Sequence, residues 1–170
     1  MKTKLSTAFL ILLISYVSVN AQDINNAPEK KSYSNSIGIG AGFCTGFGLS
    51  YRYIPKKIGV QLNFAPYFTD YGKNSTVSAG ITFLDKIVEG NATNLYLYLA
   101  NHYFMTRESL VSYSGTEYNS ADDIWNTGFG LGFEFNTKKR VVLNLMVGYA
   151  QYDSFRSLFF TAETALYYRF

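Results

Sequence analysis

Residues 125–135 read Trp-Asn-Thr-Gly-Phe-Gly-Leu-Gly-Phe-Glu-Phe. Trp125, Phe129, Leu131, Phe133 and Phe135 share one side of an extended chain. Asn126, Gly128, Gly130, Gly132 and Glu134 share the other. Large apolar side chains alternating with glycine and small polar ones predict a β-strand with two unlike faces.

The alternation continues toward the C-terminus. After a basic turn at residues 136–140, Val141, Leu143, Leu145, Val147 and Tyr149 oppose Asn144, Gly148 and Ala150. After a short loop at 153–157, Leu158, Phe160, Ala162, Leu166, Tyr168 and Phe170 oppose Thr161, Glu163, Ala165 and Arg169. Toward the N-terminus it begins at Ser36, with Ile37, Ile39, Ala41 and Phe43 against Gly38, Gly40 and Gly42. A tight turn at Cys44-Thr45-Gly46 leads to Phe47, Leu49, Tyr51 and Tyr53 against Gly48, Ser50 and Arg52. Beyond Pro55-Lys56-Lys57, Ile58, Val60, Leu62, Phe64 and Phe68 oppose Gln61, Asn63, Ala65 and Tyr67. Pro66 in this run predicts a bulge or an early end to pairing. A polar loop at 70–74 precedes Val77, Ala79, Ile81 and Phe83 against Thr76, Ser78, Gly80 and Thr82. Residues 85–92 read as a turn and 108–123 as the longest polar loop. The strand between them, 93–107, is bulky on both faces: Leu95, Leu97 and Leu99 on one, Tyr96, Tyr98 and Phe104 on the other.

This gives eight strands of about ten residues, an even number and long enough to cross an apolar layer when tilted. No stretch after residue 21 is apolar for about 18 residues, which excludes membrane helices. Backbone groups in lipid must pair internally, so such strands close into a barrel. An eight-stranded interior is just wide enough for side chains to fill it. Phe, Leu and Tyr pointing inward would overfill it, whereas Gly, Ser, Thr, Asn and Gln fit. The expectation is an all-β, eight-stranded antiparallel up-and-down transmembrane β-barrel spanning residues 36–170. A soluble lipocalin-like ligand carrier is the alternative. Aromatic residues make up 18% of the chain, with 15 Tyr and 14 Phe against 3 Pro. They gather in two girdles, as interfaces favour. One holds Tyr51, Tyr53, Phe133, Phe135, Tyr168 and Phe170; the other holds Phe43, Phe47, Phe68, Tyr103, Trp125 and Phe155.

The first residues fit a secretory signal: Lys2 and Lys4, an apolar run from Ala8 to Val17, and Val19-Asn20-Ala21 as a small-residue cleavage site. Cleavage after Ala21 would leave 170 − 21 = 149 residues, opening with a flexible periplasmic lead at 22–35. Without Lys2 and Lys4 the 15 basic residues become 13, against 12 acidic ones. That balance, with no basic stripe, speaks against nucleic acid. Cys44 is the only cysteine, so no intrachain disulfide can form.

The last strand ends Tyr167-Tyr168-Arg169-Phe170. A terminal Phe closing an alternating aromatic strand resembles the signal that outer-membrane barrels present to the barrel-assembly machinery. Residues 36–170 as a whole resemble small eight-stranded outer-membrane barrels of the OmpA/OmpX type, closest to short barrel-domain proteins of Bacteroidota. The resemblance implies an address in the bacterial outer membrane, with outer-membrane lipid and the assembly machinery as partners. It also implies Tyr168 and Phe170 as the assembly signal.

Candidate sites are few. Arg52, Glu134, Glu163 and Arg169 all fall on inward faces and are expected to form an ion-paired plug, because buried charges are costly unless paired. Gly46-Phe47-Gly48-Leu49 recurs as Gly128-Phe129-Gly130-Leu131, which puts Arg52 and Glu134 at matching positions. Both runs lack the spacing of a nucleotide loop. His102 is the only histidine. Catalysis there would need a nucleophile and an orienting acid; Ser109 and Glu108 are near in sequence, but Phe104 stands where a His-x-Ser pairing needs serine. One His and one Cys form no metal cluster, and Glu117, Asp122 and Asp123 read as a solvated loop. No cofactor is expected. The function expected is a non-enzymatic barrel of structural or surface-interaction type, its lumen closed by polar and charged side chains. The 108–123 loop is the surface for an extracellular partner. The alternatives are a narrow channel and a lipid-modifying enzyme.

Overall fold

The computed structural model describes residues 33–69, 74–90, 92–111, 117–138 and 140–170. The signal segment and most of the lead lie outside the described residues. The regular structure within them is eight strands: β1 (Asn35–Ala41), β2 (Gly48–Tyr53), β3 (Ile58–Thr69), β4 (Asn74–Glu89), β5 (Thr93–Val111), β6 (Glu117–Lys138), β7 (Val141–Tyr152) and β8 (Ser157–Arg169). Each pairs antiparallel with its sequence neighbours, and β1 pairs with β8 to close the barrel. The start of β1, the end of β8 and the turns after β2, β4 and β6 lie at one end, called lower below. The other four connections lie at the upper end.

The faces follow the period of two. Leu49, Phe64, Leu99, Phe129 and Phe160 point out and are exposed, Leu49 at 67%. Ser50, Arg52, Gln61, Asn63, Ser78, Thr82 and Asn144 point in and are buried, Arg52 at 1%. The lumen is not only small and polar: Leu84, Tyr96, Tyr98, Val142, Met146 and Tyr167 are buried there too. They fit because the inward tyrosines face glycines across the ladder. Tyr96 pairs with Gly132, Tyr98 with Gly130 and Tyr167 with Gly38. A Cβ on Gly132 would enter the Tyr96 ring. This settles β5, whose inner face is Tyr96, Tyr98, Ala100 and His102 and whose outer face carries Leu97 and Leu99.

Three local expectations change, and a fourth, the early end to pairing at Pro66, holds on one side only. Of residues 108–123, those described, 108–111 and 117–123, are strand rather than loop: β5 and β6 stay paired from Arg107 opposite Ala121 to Val111 opposite Glu117, and 112–116 lie outside the described residues. The last β4 partner of β5 is Ser75, opposite Arg107, and the last β7 partner of β6 is Gln151, opposite Thr127. The hairpin therefore rises above the wall, where neither face needs apolar residues, and its polarity reflects water rather than a break in the ladder. Residues 85–92 are likewise mostly strand. β4 reaches Glu89, with a bulge between Lys86 and Val88 absorbing the extra residue.

Pro66 makes no bulge with β4, since that register holds through Thr69 opposite Asn74; on the β2 side pairing stops at Phe64, so the ring meets no ladder there. Tyr67, expected to face inward with Asn63, is 63% exposed, because β3 at that height has already passed the end of β2.

Candidate functional site

The barrel encloses two layers of polar contacts. The lower layer centres on Arg52 of β2. Its Nη1 donates to Glu134 Oε2 at 2.9 Å, and its Nε and Nη2 donate to Gln61 Oε1 at 3.2 and 2.7 Å. The guanidinium lies over the Tyr167 ring, 4.1 Å from its centroid, with the Tyr96 ring at 5.5 Å. Glu134 Oε1 accepts from Asn94 Nδ2 at 2.7 Å and from Arg169 Nη2. Gln61 Nε2 and the Ser50 hydroxyl both donate to Asn63 Oδ1, and the Ser50 and Tyr167 hydroxyls lie 2.7 Å apart. Tyr96 donates to Asn144. Two guanidiniums on one carboxylate, bonded on every side, hold the opposite walls β2 and β6 together across the lumen. The matching positions of the internal repeat, Arg52 and Glu134, thus meet directly.

Arg169 joins this cluster, but Glu163 does not. Glu163 lies in the upper layer and accepts from the backbone N–H of Cys44 at 3.3 Å and of Thr45 at 3.1 Å, and from the Thr161 hydroxyl at 3.2 Å. The reason is the connection between β1 and β2. The sequence predicts no more than a tight turn there, yet it folds inward and sits in the mouth of the barrel, with Cys44 wholly buried. Side chains from five strands hold its backbone. Asn63 donates to the Gly46 carbonyl at 2.9 Å, and Phe47 N–H donates to Ser78 Oγ at 3.2 Å. His102 Nδ1 and Asn126 Nδ2 both reach the Phe43 carbonyl, at 2.8 and 3.0 Å. Glu163 completes the set. A Cβ on Gly80 would strike the Thr45 carbonyl, so glycine is required beneath the turn. Gly46 and Gly48, at φ of +83° and +104°, supply the left-handed backbone that bends the chain inward.

His102 deserves comparison with catalytic pairs. Its Nδ1 faces a carbonyl, which only accepts, so Nδ1 carries the proton and Nε2 accepts from Ser78 Oγ at 2.9 Å. A serine against a histidine is nucleophile–base geometry. Here, however, Ser78 is wholly buried beneath the seated turn, and a backbone carbonyl stands where an orienting carboxylate would be. The pair anchors the turn. Glu108 is exposed and lies in the hairpin above the last β4 partner of β5. Among the described residues no group of three His, Cys, Asp or Glu could hold a metal ion. Cys44 is a free thiol, 3.9 Å from the Thr161 hydroxyl.

Sequence reasoning missed Ser78, Asn63, Asn126 and the inward course of residues 42–47. One signal pointed that way: glycine at inward positions 80 and 128, where a side chain would meet the turn.

The strands and the filled lumen define a small closed eight-stranded antiparallel β-barrel with an apolar exterior. No family model and no curated protein matches the chain. Among solved structures it is similar to the N-terminal β-barrel domain of OprF from Pseudomonas aeruginosa, at 12% identity over 80% of this chain and 95% of that one, with a TM-score of 0.45. It is also similar to Ail, the attachment invasion locus protein of Yersinia pestis, at 17% identity over 80% and 93%, with a TM-score of 0.43. A structure of Ail in complex with the heparin analogue sucrose octasulfate gives 18% identity over 80% and 94%, with a TM-score of 0.39.

Proposed function

We propose that this chain is an integral barrel of the bacterial outer membrane, exported by residues 1–21, non-enzymatic, with a lumen closed by its own side chains and a hairpin raised for surface contacts. One observation carries this reading: the barrel is apolar outside and polar inside. Ile39, Leu49, Phe64, Phe83, Leu99, Phe129 and Phe160 are exposed around the wall, while Arg52 and Glu134 are buried within it. A soluble protein rarely exposes a contiguous apolar patch beyond a few hundred Å². A belt around the whole circumference calls for lipid, which also supplies the outer-membrane partner.

Tyr168 and Phe170 stand exposed at the lower rim, and Phe170 N–H donates to the Asn35 carbonyl at 3.0 Å across the closing seam. This supports a role for them in recognition by the barrel-assembly machinery. The β5–β6 hairpin, clear of the wall, is the surface for an extracellular partner.

Membrane fractionation followed by electrophoresis with and without boiling tests the core of the proposal. The folded chain is expected in outer-membrane fractions, with a shift in migration on boiling. Recovery from the soluble periplasm would overturn it in favour of a lipocalin-like carrier. Planar bilayers are expected to show no conductance, since two polar layers cross the lumen. Lipid A masses are expected to be the same with and without the protein.

A further inference from the structure

The seated turn between β1 and β2 has a second arrangement available to it. In the β1–β2 ladder Ser36 faces Arg52 and Gly40 faces Gly48. The same register carried upward would pair Ala41 with Phe47 and Gly42 with Gly46, leaving Phe43-Cys44-Thr45 as a three-residue hairpin turn. That geometry is already half built. Gly46 N–H already donates to the Gly42 carbonyl at 3.0 Å, the bond that closes such a turn, and Gly46, without a side chain, can exchange its left-handed φ for extended backbone. To stand upright the turn has to leave its seat and straighten at Gly46.

What keeps it seated is a set of side-chain bonds rather than a ladder. Phe43 is largely exposed, whereas Phe47 packs edge-on to the His102 ring and against Phe104, and Cys44 is buried in one cluster with Tyr98 and Met146, so the turn has a small apolar footing beside its polar bonds. The strongest hold is Glu163, a buried carboxylate that takes two successive backbone N–H groups of the turn. Charge-assisted bonds of this kind are about twice as strong as neutral ones. Among the described residues no Lys or Arg pairs with Glu163, unlike Glu134 below it. Its charge is held by the turn itself and by Thr161.

We propose that the β1–β2 connection is a detachable plug, seated in the barrel mouth by Glu163 as its latch, and that on release it stands up as a hairpin and bares the upper lumen. The lower layer of Arg52, Glu134 and Arg169 stays closed when it does, so the barrel has two barriers in series. The proposal deepens the barrel reading above and rests on it.

Cys44, the only cysteine of the chain, sits in the plug and reports on it. The full-length protein, folded in detergent micelles, is treated with a maleimide coupled to polyethylene glycol. Labelling is followed on gels that also record the shift on boiling, so failure of the barrel and failure of the latch read separately. Slow labelling of Cys44 is expected in the folded wild type, and rapid labelling after boiling. Glu163→Gln, which keeps the shape and removes the charge, is expected to raise the folded-state rate roughly tenfold or more, from the loss of charge-assisted bonds. Gly80→Ala, which drives a methyl group into the Thr45 carbonyl without touching Glu163, is expected to do the same. Glu134→Gln, in the lower layer, is expected to leave the rate within about twofold of wild type, which the separation of the two layers requires.

A folded wild type that labels as fast as boiled protein would overturn the seated state. A folded Glu163→Gln at the wild-type rate, or a rise of equal size in Glu134→Gln, would overturn the latch. If Glu163→Gln does not fold, Gly80→Ala decides by the same criterion.

Discussion

Glu134→Gln is the most demanding test of the lower layer. The substitution keeps the volume and removes one negative charge from between two guanidiniums. Arg52, 1% exposed, would keep Gln61 Oε1 and the face of Tyr167, but would lose its one charged partner among the described residues. Arg169 and Asn94 Nδ2 would lose the charge on the other oxygen, Oε1, which both of them bond. Removing one partner of a buried pair typically costs about 3–5 kcal/mol, since a desolvated charge is left behind. Arg169 is partly open to the lower rim and can recover some hydration, so about 3 kcal/mol is the expected loss. Urea unfolding from lipid vesicles measures it, read by the fluorescence of Trp125, the only tryptophan, and by migration on gels. A double-mutant cycle with Arg52→Met separates the pair from the rest. The double variant is expected to be more stable than Glu134→Gln alone, because it removes the stranded cation. A Glu134→Gln protein within about 1 kcal/mol of wild type would refute the reasoning that the cluster carries uncompensated charge when opened.

Three further outcomes follow from the packing. Gly132→Val is expected to destabilise the barrel by about 1–3 kcal/mol through overlap with the Tyr96 ring, and adding Tyr96→Ala should recover part of the loss; unfolding midpoints of the single and double variants decide this. Leu99→Arg, on the outer wall, is expected to cost about 2–4 kcal/mol in vesicles, as for a charge near the bilayer midplane, whereas a water-facing Leu99 would tolerate arginine with no measurable loss of stability. Joining Arg107 to Ala121 by an Asn-Gly turn removes the hairpin above the wall at a directly paired step, and the shortened barrel is expected to keep its shift on boiling and its unfolding midpoint; loss of either would mean that the hairpin is part of the folding unit.

The faces of the strands were legible because their cause is local. Trp125 to Phe135 alternates, and a strand at the boundary of two media can satisfy both only by alternating. Strand ends were less legible. Polar residues at 108–123 look like a loop because a strand clear of the wall loses the apolar half of its pattern while keeping its hydrogen bonds. β5 resisted assignment because Tyr96 and Tyr98 are as bulky as Leu97 and Leu99. Their place is set by Gly132 and Gly130 on the next strand, and only the register shows that. Arg52, Glu134 and Arg169 could be grouped from the sequence, since all three are inward and near the same end. Glu163 shares their face but not their height, and its partners are backbone N–H groups, which carry no residue signature. Ser78 and His102 meet across two strands, at a spacing that no local pattern encodes.

The three inward glycines of β6 have a consequence for assembly. Gly128, Gly130 and Gly132 would accept Tyr96 and Tyr98 equally well if β6 were displaced by two residues, about 7 Å along the strand. Glycine complementarity alone therefore leaves this seam free to close in a wrong frame. The buried carboxylate is what such a frame could not accept. Displaced in that way, β6 would bring Gly132 to the height of Arg52 and strand two guanidiniums in the lumen. The charge in the barrel thus acts as a checkpoint on closure, penalising the misaligned product more than it strengthens the correct one.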